Sequence, residues 1–302
     1  MKKLFLSVFA VSAMLLIGSC KGNKSDSNAA SQGTESTKNE NAVGLKKPKP
    51  PKCEGTMRIL FVGNSHTEYF VSLPYIFDAL SDENNKEVEI ATLVEMGVSI
   101  DEILEANTSD FDKYFSVTDP DGNYFDYVIL QEKTPTAIMN LGDYKKNCKK
   151  VADLVLKNSP DAAFYIYELM SPIDIEEKDD FITYKKELAK NAAAVAKALP
   201  NAGILPVGSA VADAYEGKGG YVAIKNGKDL LRNTDQSHHM LNDAGFLAGV
   251  IIYQAVYGET PKIPAALPLS TGTGNNDEIT MQNVETTISN QDALLKIAAG
   301  YK

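Results

Sequence analysis

Two segments of the sequence carry residues that could together hydrolyse an acyl bond. Ser65 lies in Gly63-Asn64-Ser65-His66-Thr67, directly after an apolar run. Asp235 and His238 are three residues apart in a later segment, and His239 follows them. An imidazole can take the proton of an attacking serine hydroxyl, and a carboxylate can orient that imidazole and stabilise its charged form. Ser65, His238 and Asp235 are therefore a candidate nucleophile, base and orienting acid.

Other assignments of these residues stay open at this point. Asp235 can instead cap a following helix, which would leave both neighbouring histidines as surface residues. Its spacing to His238 favours that residue as the base, whereas the spacing to the apolar stretch 242–247 favours His239. His66, the third histidine of the chain, is a candidate substrate contact or oxyanion donor, or an exposed loop residue.

The elements that would position these residues alternate between strand and helix. Short apolar runs predict five strands, at 57–62, 88–94, 127–130, 163–167 and 203–207. Helical spacing or composition predicts helices at 73–80, 99–104, 143–157, 181–199, 244–257 and 280–299. This order predicts an α/β protein in three layers, with a central, mostly parallel sheet of about five strands between layers of helices. Ligands of such sheets bind at the carboxyl ends of the strands, where Ser65 lies.

Two connecting segments do not fit the alternation. Residues 108–125 contain the strong turn signal Asp119-Pro120-Asp121-Gly122-Asn123 and are predicted to form an excursion before the third strand. Residues 259–276 are rich in Pro, Gly and Thr and are predicted to be irregular.

The amino-terminal segment predicts export and attachment to a membrane. Lys2 and Lys3 precede an apolar run that ends in Ile17-Gly18-Ser19-Cys20, which resembles the bacterial lipobox. Residues 1–19 are therefore predicted to be a lipoprotein signal peptide, with Cys20 lipidated after cleavage. An ordinary cleaved signal peptide is the alternative. Either way the protein is expected in the bacterial cell envelope, outside the cytoplasm, and a lipidated Cys20 would anchor it, with the outer membrane as the expected site.

The rest of the chain divides into a polar linker and one folded domain. Residues 20–55 are rich in Ser, Asn, Lys and Gly, so they are predicted to be a flexible linker before a domain at 56–302. That domain contains 21 basic and 36 acidic residues, a formal net charge of −15. This charge disfavours binding to nucleic acid, which requires clustered Lys and Arg.

The few cysteines and histidines limit other kinds of site. Three cysteines exclude a disulfide-rich scaffold and a four-thiolate zinc site. Cys53 and Cys148 would lie in an oxidising compartment, and the sequence leaves open whether they pair. The spacing of the three histidines does not fit a metal motif, so no metal is predicted.

Four short blocks, in order within residues 57 to 258, resemble the SGNH (GDSL-type) hydrolase family. Gly63-Asn64-Ser65 is similar to the block with the nucleophile, and Asp235-Gln236-Ser237-His238 to the last block with its Asp and His. Met96-Gly97-Val98-Ser99 follows the second strand, where the family has a glycine. The family has an Asn after the third strand, and Gln131 at this position resembles a bacterial lipoprotein branch of the family.

The resemblance implies an SGNH/flavodoxin-like fold and a serine ester hydrolase that uses no metal or organic cofactor. It implies that Ser65 attacks the acyl carbon and that His238, oriented by Asp235, is the base. The N–H groups of Ser65 and Gly97 and the amide of Gln131 would hold the oxyanion.

The family and the compartment together favour a carbohydrate ester, or another small ester, as the substrate. The alternative is a catalytically inactive lipoprotein of the same fold that binds a glycan or another envelope ligand.

Overall fold

The computed structural model describes residues 47–53, 55–106, 124–233, 238–272 and 277–302. The strands of these ranges are β1 (Met57–Gly63), β2 (Val88–Val94), β3 (Tyr127–Leu130), β4 (Ala163–Tyr167), β5 (Ala202–Leu205), β6 (Ile224–Lys225), β7 (Lys228–Asp229), β8 (Arg232–Asn233), β9 (His239–Met240), β10 (Ala266–Ser270) and β11 (Ile279–Asn283). The helices are α1 (Leu73–Glu83), α2 (Ile100–Ala106), α3 (Thr134–Met139), α4 (Leu141–Val155), α5 (Lys178–Ala198), α6 (Val207–Tyr215), α7 (Asn242–Tyr257), α8 (Val284–Thr287) and α9 (Gln291–Ala299).

A five-stranded parallel sheet forms the centre of the molecule, in the order β2-β1-β3-β4-β5. Strands β3 and β4 are buried at every residue, as their continuous apolar runs predict for strands covered on both faces. The predicted three-layer α/β fold is confirmed. The chain moves from β1 to β2 on one side and then to β3 on the other side of β1. The order of strands therefore reverses between β1 and β3, and their carboxyl ends form the crevice where such folds bind ligands.

Helices cover the sheet, and a glycine sets the packing of two of them. Helix α7 is almost entirely buried, as its apolar sequence predicts, and it packs against α1. A Cβ atom on Gly249 would overlap the side chain of Ile76, so glycine allows the two helices to approach closely. On another part of the molecule α4 packs against α5.

Three predicted boundaries are corrected by the structure. The fifth strand ends at Leu205, because the chain turns at Pro206 and enters α6 at Val207. Residues 259–276 are predicted to be irregular and 280–299 to be a helix, but β10 and β11 pair as an antiparallel hairpin, so that only α8 and α9 of the second range are helical. Leu267 and Leu269 alternate with half-exposed residues and are fully buried, which is a strand pattern that Pro268 obscures in the sequence. The predicted helix from Asp143 begins at Leu141, since the Asn140 side chain accepts a hydrogen bond from the Asp143 N–H.

The described part of the linker lies against the domain. The Lys49 N–H donates to Asn201 Oδ1 at 2.6 Å, and Asn201 Nδ2 donates to the carbonyl groups of Lys49 and Ala162 at 3.0 and 3.1 Å. Asn201 and Ala162 directly precede β5 and β4, so residue 49 lies at the amino edge of the sheet. The signal peptide, Cys20 and the remainder of the linker before residue 47 lie outside the described residues, as do most of 108–125.

Two further features concern the predicted compartment. Cys53 is exposed and Cys148 is buried within α4, and no disulfide joins them. Among the described residues, no helix is both long enough and apolar enough to cross a membrane.

Candidate active site

The loop after β1 holds Ser65 at the carboxyl edge of the sheet. The Thr67 N–H donates to the Asn64 carbonyl at 2.8 Å, which closes a tight turn around Ser65. A Cβ atom at position 63 would overlap Thr67 Oγ1 and Gln131 Oε1, so only glycine fits there. The Ser65 side chain is partly exposed, as a nucleophile that must meet a substrate requires.

Gln131, which directly follows β3, holds this loop in place by hydrogen bonds. Its Oε1 accepts hydrogen bonds from the Asn64 N–H at 2.8 Å and from Thr67 Oγ1 at 2.9 Å. Its Nε2 donates to the Glu132 carbonyl, and the residue is only 1% exposed. The oxyanion role of Gln131 stays a prediction, and the contacts that the structure shows are those of a clamp on the Ser65 loop.

Hydrogen bonds from residues on either side of Gly97 in the sequence hold this glycine beside the Ser65 loop. The Glu95 N–H donates to the Gly63 carbonyl at 3.2 Å, and Asn64 Nδ2 donates to the Val98 carbonyl at 2.9 Å. Gly97 itself has a φ of +74°, which a residue with a Cβ rarely adopts. No described residue accepts a hydrogen bond from the amide of Ser65 or of Gly97. These two N–H groups, which the sequence predicts to hold an oxyanion, are thus available to a ligand.

The structure brings all three histidines of the chain to this edge of the sheet. The His239 ring lies 4.9 Å from the His66 ring and 4.9 Å from the Tyr69 ring, measured between centroids. Phe70 contributes a further ring at 5.8 Å from His239. The late segment with the two histidines therefore packs directly on the residues that follow Ser65.

His66 is neutral at physiological pH. Burial, followed by charge repulsion from the nearby His239 and His238, lowers its pKa from 6.5 to about 3. Its Nε2 lies 3.3 Å from Thr134 Oγ1, whereas its Nδ1 is buried without a partner among the described residues. A neutral imidazole can donate one hydrogen bond and accept another, so His66 can contact a substrate but is a poor proton carrier.

His238 points to a carboxylate that the sequence analysis did not identify. Its Nε2 lies 2.8 Å from Asp174 Oδ1. The predicted partner Asp235 lies within 234–237, outside the described residues. Asp174 comes seven residues after the end of β4, and its place after a strand of the sheet was the signal that could have identified it.

The histidine cluster does not have the arrangement of a metal centre. Within the described ranges, no three His, Cys, Asp or Glu side chains are placed to hold one ion. The rings of His66 and His239 face each other at an interplanar angle of 33°. This packing of rings differs from the convergence of nitrogen atoms that a metal ion requires.

Comparisons with known proteins identify a shared fold. No protein-family model matches the chain, and no curated protein matches it either. A DUF4886 family protein from Bacteroides uniformis superposes with a TM-score of 0.54 at 13% sequence identity, over 82% of this chain and 94% of that one. The Bacteroides protein therefore has the same three-layer fold as this chain.

Two further solved structures are more distant. The lipase/acylhydrolase from Enterococcus faecalis gives a TM-score of 0.47 at 16% identity, over 69% of this chain and 100% of its own. A member of the lipolytic protein G-D-S-L family from Veillonella parvula gives 0.45 at 16% identity, over 67% and 97%. The chain thus shares its three-layer fold with the Bacteroides protein, and its chemistry must be argued from the residues of the site.

Proposed function

We propose that the protein is a serine ester hydrolase with Ser65 as its nucleophile. The observation that carries the proposal is the packing of the His239 ring on His66, the residue that follows Ser65. Segments far apart in the sequence meet there, at the crevice between the carboxyl ends of β1 and β3. A nucleophile, an imidazole and two backbone N–H groups without an acceptor among the described residues, all on one sheet edge, are the parts that acyl transfer needs.

We assign the base to His239 in preference to His238, which the spacing in the sequence favours. The His239 ring packs on the Ser65 loop, whereas the Nε2 of His238 is occupied by Asp174.

The proposed steps follow from this assignment. The Ser65 oxygen attacks the acyl carbon while His239 takes its proton, and the departing alcohol receives that proton. Water then releases the acyl group by the same route, with Asp235 proposed to orient the base.

The N–H groups of Ser65 and Gly97 are proposed to stabilise the oxyanion. In this proposal Gln131 acts on the oxyanion indirectly, since it fixes the loop that presents the Ser65 N–H. Loss of one oxyanion donor typically lowers the rate by about 10²- to 10³-fold. The position of the loop is therefore expected to matter as much as the donors themselves.

The proposed substrate is a carbohydrate ester or another small ester outside the cytoplasm. The lipobox-like sequence before Cys20 supports a lipid-anchored protein of the cell envelope, where acylated glycans occur. No metal or organic cofactor has a part in the proposed steps.

A fluorophosphonate probe tests the proposal without knowledge of the substrate. We expect an adduct on Ser65, located by peptide mass spectrometry, and none in Ser65→Ala. His239→Ala should label about 10² to 10⁴ times more slowly, because an unassisted serine hydroxyl is a weak nucleophile. Absence of an adduct on folded wild-type protein would contradict the proposal.

A second candidate function is ligand binding without catalysis. The contacts of Gln131 favour it, because the amide that the SGNH resemblance assigns to the oxyanion is hydrogen-bonded within the protein: Oε1 accepts from Asn64 and Thr67, and Nε2 donates to the Glu132 carbonyl. The protein would then hold a glycan or another envelope ligand in the same crevice. Saturable glycan binding without turnover, unchanged by Ser65→Ala, would favour this function over hydrolysis.

A further inference from the structure

One contact at this edge of the sheet has no part in the proposed steps. His238 Nε2 lies 2.8 Å from Asp174 Oδ1, and the two residues come from different loops. Asp174 lies in the connection from β4 to α5, and His238 directly precedes β9. The contact therefore joins the segment with the proposed base to a neighbouring loop of the sheet.

The backbone conformation at His238 is one that a contact of this kind can hold. Its φ is +55°, in the left-handed region that residues with a Cβ seldom occupy. Such a conformation persists where surrounding interactions hold the residue in place. The hydrogen bond between the His238 ring and Asp174 is an interaction that can do so, since it fixes the direction of the side chain.

Arg232 joins the same two loops at a second point. Its Nη1 donates to the carbonyl groups of Ser171 and Ile173, at 2.6 and 2.9 Å, next to Asp174. Its backbone belongs to β8, which pairs with β9 at Met240. Arg232 is 1% exposed, so this connection is buried, whereas Asp174 and His238 are both partly exposed.

The guanidinium of Arg232 is itself held rigidly. Its Nε donates to the Tyr215 hydroxyl at 2.7 Å. The rings of Phe181 and Tyr215 lie 5.5 and 4.9 Å from its central carbon, within the range of cation–π contacts. The loop with Asp174 thus rests on a fixed support, which allows its carboxylate to define a position for His238.

We propose that Asp174 is a positioning residue, which fixes His238 and thereby the orientation of the adjacent base, His239. The two histidines are consecutive, so a fixed backbone and side chain at 238 determine where the ring at 239 points. That ring is buried against His66 and Tyr69, on the Ser65 loop. This inference rests on the proposed function and adds to it a carboxylate outside the predicted trio of residues.

A role in stability alone is not expected for this pair. The side chains of Asp174 and His238 are 40% and 18% exposed, and pairs of polar side chains that solvent can reach contribute little to the free energy of folding. Removal of the Asp174 carboxylate should therefore leave the domain folded. The effect on the base can then be measured without loss of the structure.

The test measures how fast a fluorophosphonate labels Ser65 in the purified full-length chain. Asp174→Ala is expected to lower the maximal labelling rate about tenfold, with little change in the probe concentration for half-maximal rate. Asp174→Asn keeps an oxygen that accepts a hydrogen bond from Nε2 and should recover most of the rate. Asp153→Asn is the matched control, because it breaks an exposed carboxylate pair with Lys149 on α4.

A double variant tests whether Asp174 acts through His238. Asn at position 238 tolerates the left-handed conformation but is too short to reach Asp174. His238→Asn should therefore lose as much rate as Asp174→Ala, and the double variant should lose no more. Fully additive losses would overturn the proposal.

The outcomes separate this inference from the proposed function. If Asp174→Ala labels Ser65 at the wild-type rate, the inference is wrong and the proposed function stands. If the wild type is not labelled at all, the proposed function is wrong, and hydrogen exchange of the His239 and Met240 amides then decides the inference. Faster exchange in Asp174→Ala than in Asp153→Asn supports the positioning role, and equal exchange overturns it.

Discussion

At the scale of single residues, the site depends on polar groups that are fixed by buried hydrogen bonds. Gln131 shows this most clearly, because its side-chain oxygen accepts from both the Asn64 N–H and the Thr67 hydroxyl. Removal of this oxygen would leave two buried donors without a partner, and each such donor typically costs about 1–3 kcal/mol. Gln131 therefore determines the geometry of the Ser65 loop whether or not it touches a substrate.

His66 provides a prediction about pH at the same scale. Burial, followed by the charges of His239 and His238, lowers its pKa in the folded protein from 6.5 to about 3. The unfolded chain therefore binds more protons than the folded protein between these values, so the free energy of unfolding should decrease as the pH falls below 6.5. This residue alone should account for about 2 kcal/mol of loss between pH 7 and pH 5.

Urea denaturation of wild-type protein and His66→Asn at both pH values measures this contribution. The wild type should lose about 2 kcal/mol more than the variant on going from pH 7 to pH 5. NMR titration of the imidazole gives an independent check, since the His66 ring should stay neutral down to pH 4. Equal losses in the two proteins, or titration of His66 near pH 6, would show that the ring is not held neutral.

The sequence identified most of these residues but not their contacts. Ser65, His66 and the two later histidines have chemically distinctive side chains, so their types alone suggested the site. The contact of His238 with Asp174 joins residues 64 positions apart, and no local pattern indicates it. Pairing of this kind follows from the order of strands in the sheet, which is a property of the tertiary structure.

At the scale of elements, the sequence predicted the central sheet well because its strands are continuous apolar runs. Strand β3 is buried at all four residues, and turn or loop residues bound it. The β10–β11 hairpin was missed because only one of its strands has a buried apolar face, while β11 is largely exposed. Its pairing depends on the core that receives Leu267 and Leu269, which the local sequence does not reveal.

Two glycines at equivalent helix positions give a prediction about packing. Gly208 is the second residue of α6, and a Cβ atom there would overlap the Leu169 carbonyl group just after β4. Gly142 is the second residue of α4, where the nearest atom, Asn140 Oδ1, would be 3.6 Å from a Cβ. Gly208→Ala should therefore destabilise the domain by roughly 1–3 kcal/mol or more. Gly142→Ala should stabilise it by about 0.4–1 kcal/mol.

Chemical denaturation of the two variants measures this difference directly. Both replace glycine with alanine in the first turn of a helix, so any general effect of the substitution on the unfolded chain is common to both. Similar changes in the free energy of unfolding would mean that α6 does not lie as close to the end of β4 as the structure shows.

At the scale of the whole molecule, the described end of the linker lies at the amino edge of the sheet, and the candidate site lies at the carboxyl edge. Lys49 is fastened to Asn201 at the amino edge, whereas Ser65 and Gln131 follow the carboxyl ends of their strands. A tether attached at Cys20, as we propose, would leave the crevice open on the side away from the point of attachment. This geometry suits the proposed hydrolysis of a substrate that reaches the crevice from the surroundings of the anchored protein.

Cys148 allows the integrity of the whole domain to be followed, because α4 buries it in the same core that supports the sheet. Burial and the nearby Glu132 raise its thiol pKa well above the usual value, so both access and ionisation oppose its reaction. Cys53 is exposed at the start of the domain. We therefore expect iodoacetamide to modify Cys53 in the native protein while Cys148 reacts at least about 10³-fold more slowly, in proportion to the unfolded fraction.

Mass spectrometry of a fragment comprising residues 47–302, alkylated before and after denaturation, measures both rates. Cys53→Ser serves as the control that isolates the reaction of Cys148. In denaturant without reductant both thiols should react, because no disulfide joins them. Rapid alkylation of Cys148 in protein with native circular dichroism would show that α4 opens independently of the domain, and protection of both thiols in denaturant would reveal a disulfide. The first result would contradict a single cooperative core, since Cys148 would then report on one helix alone.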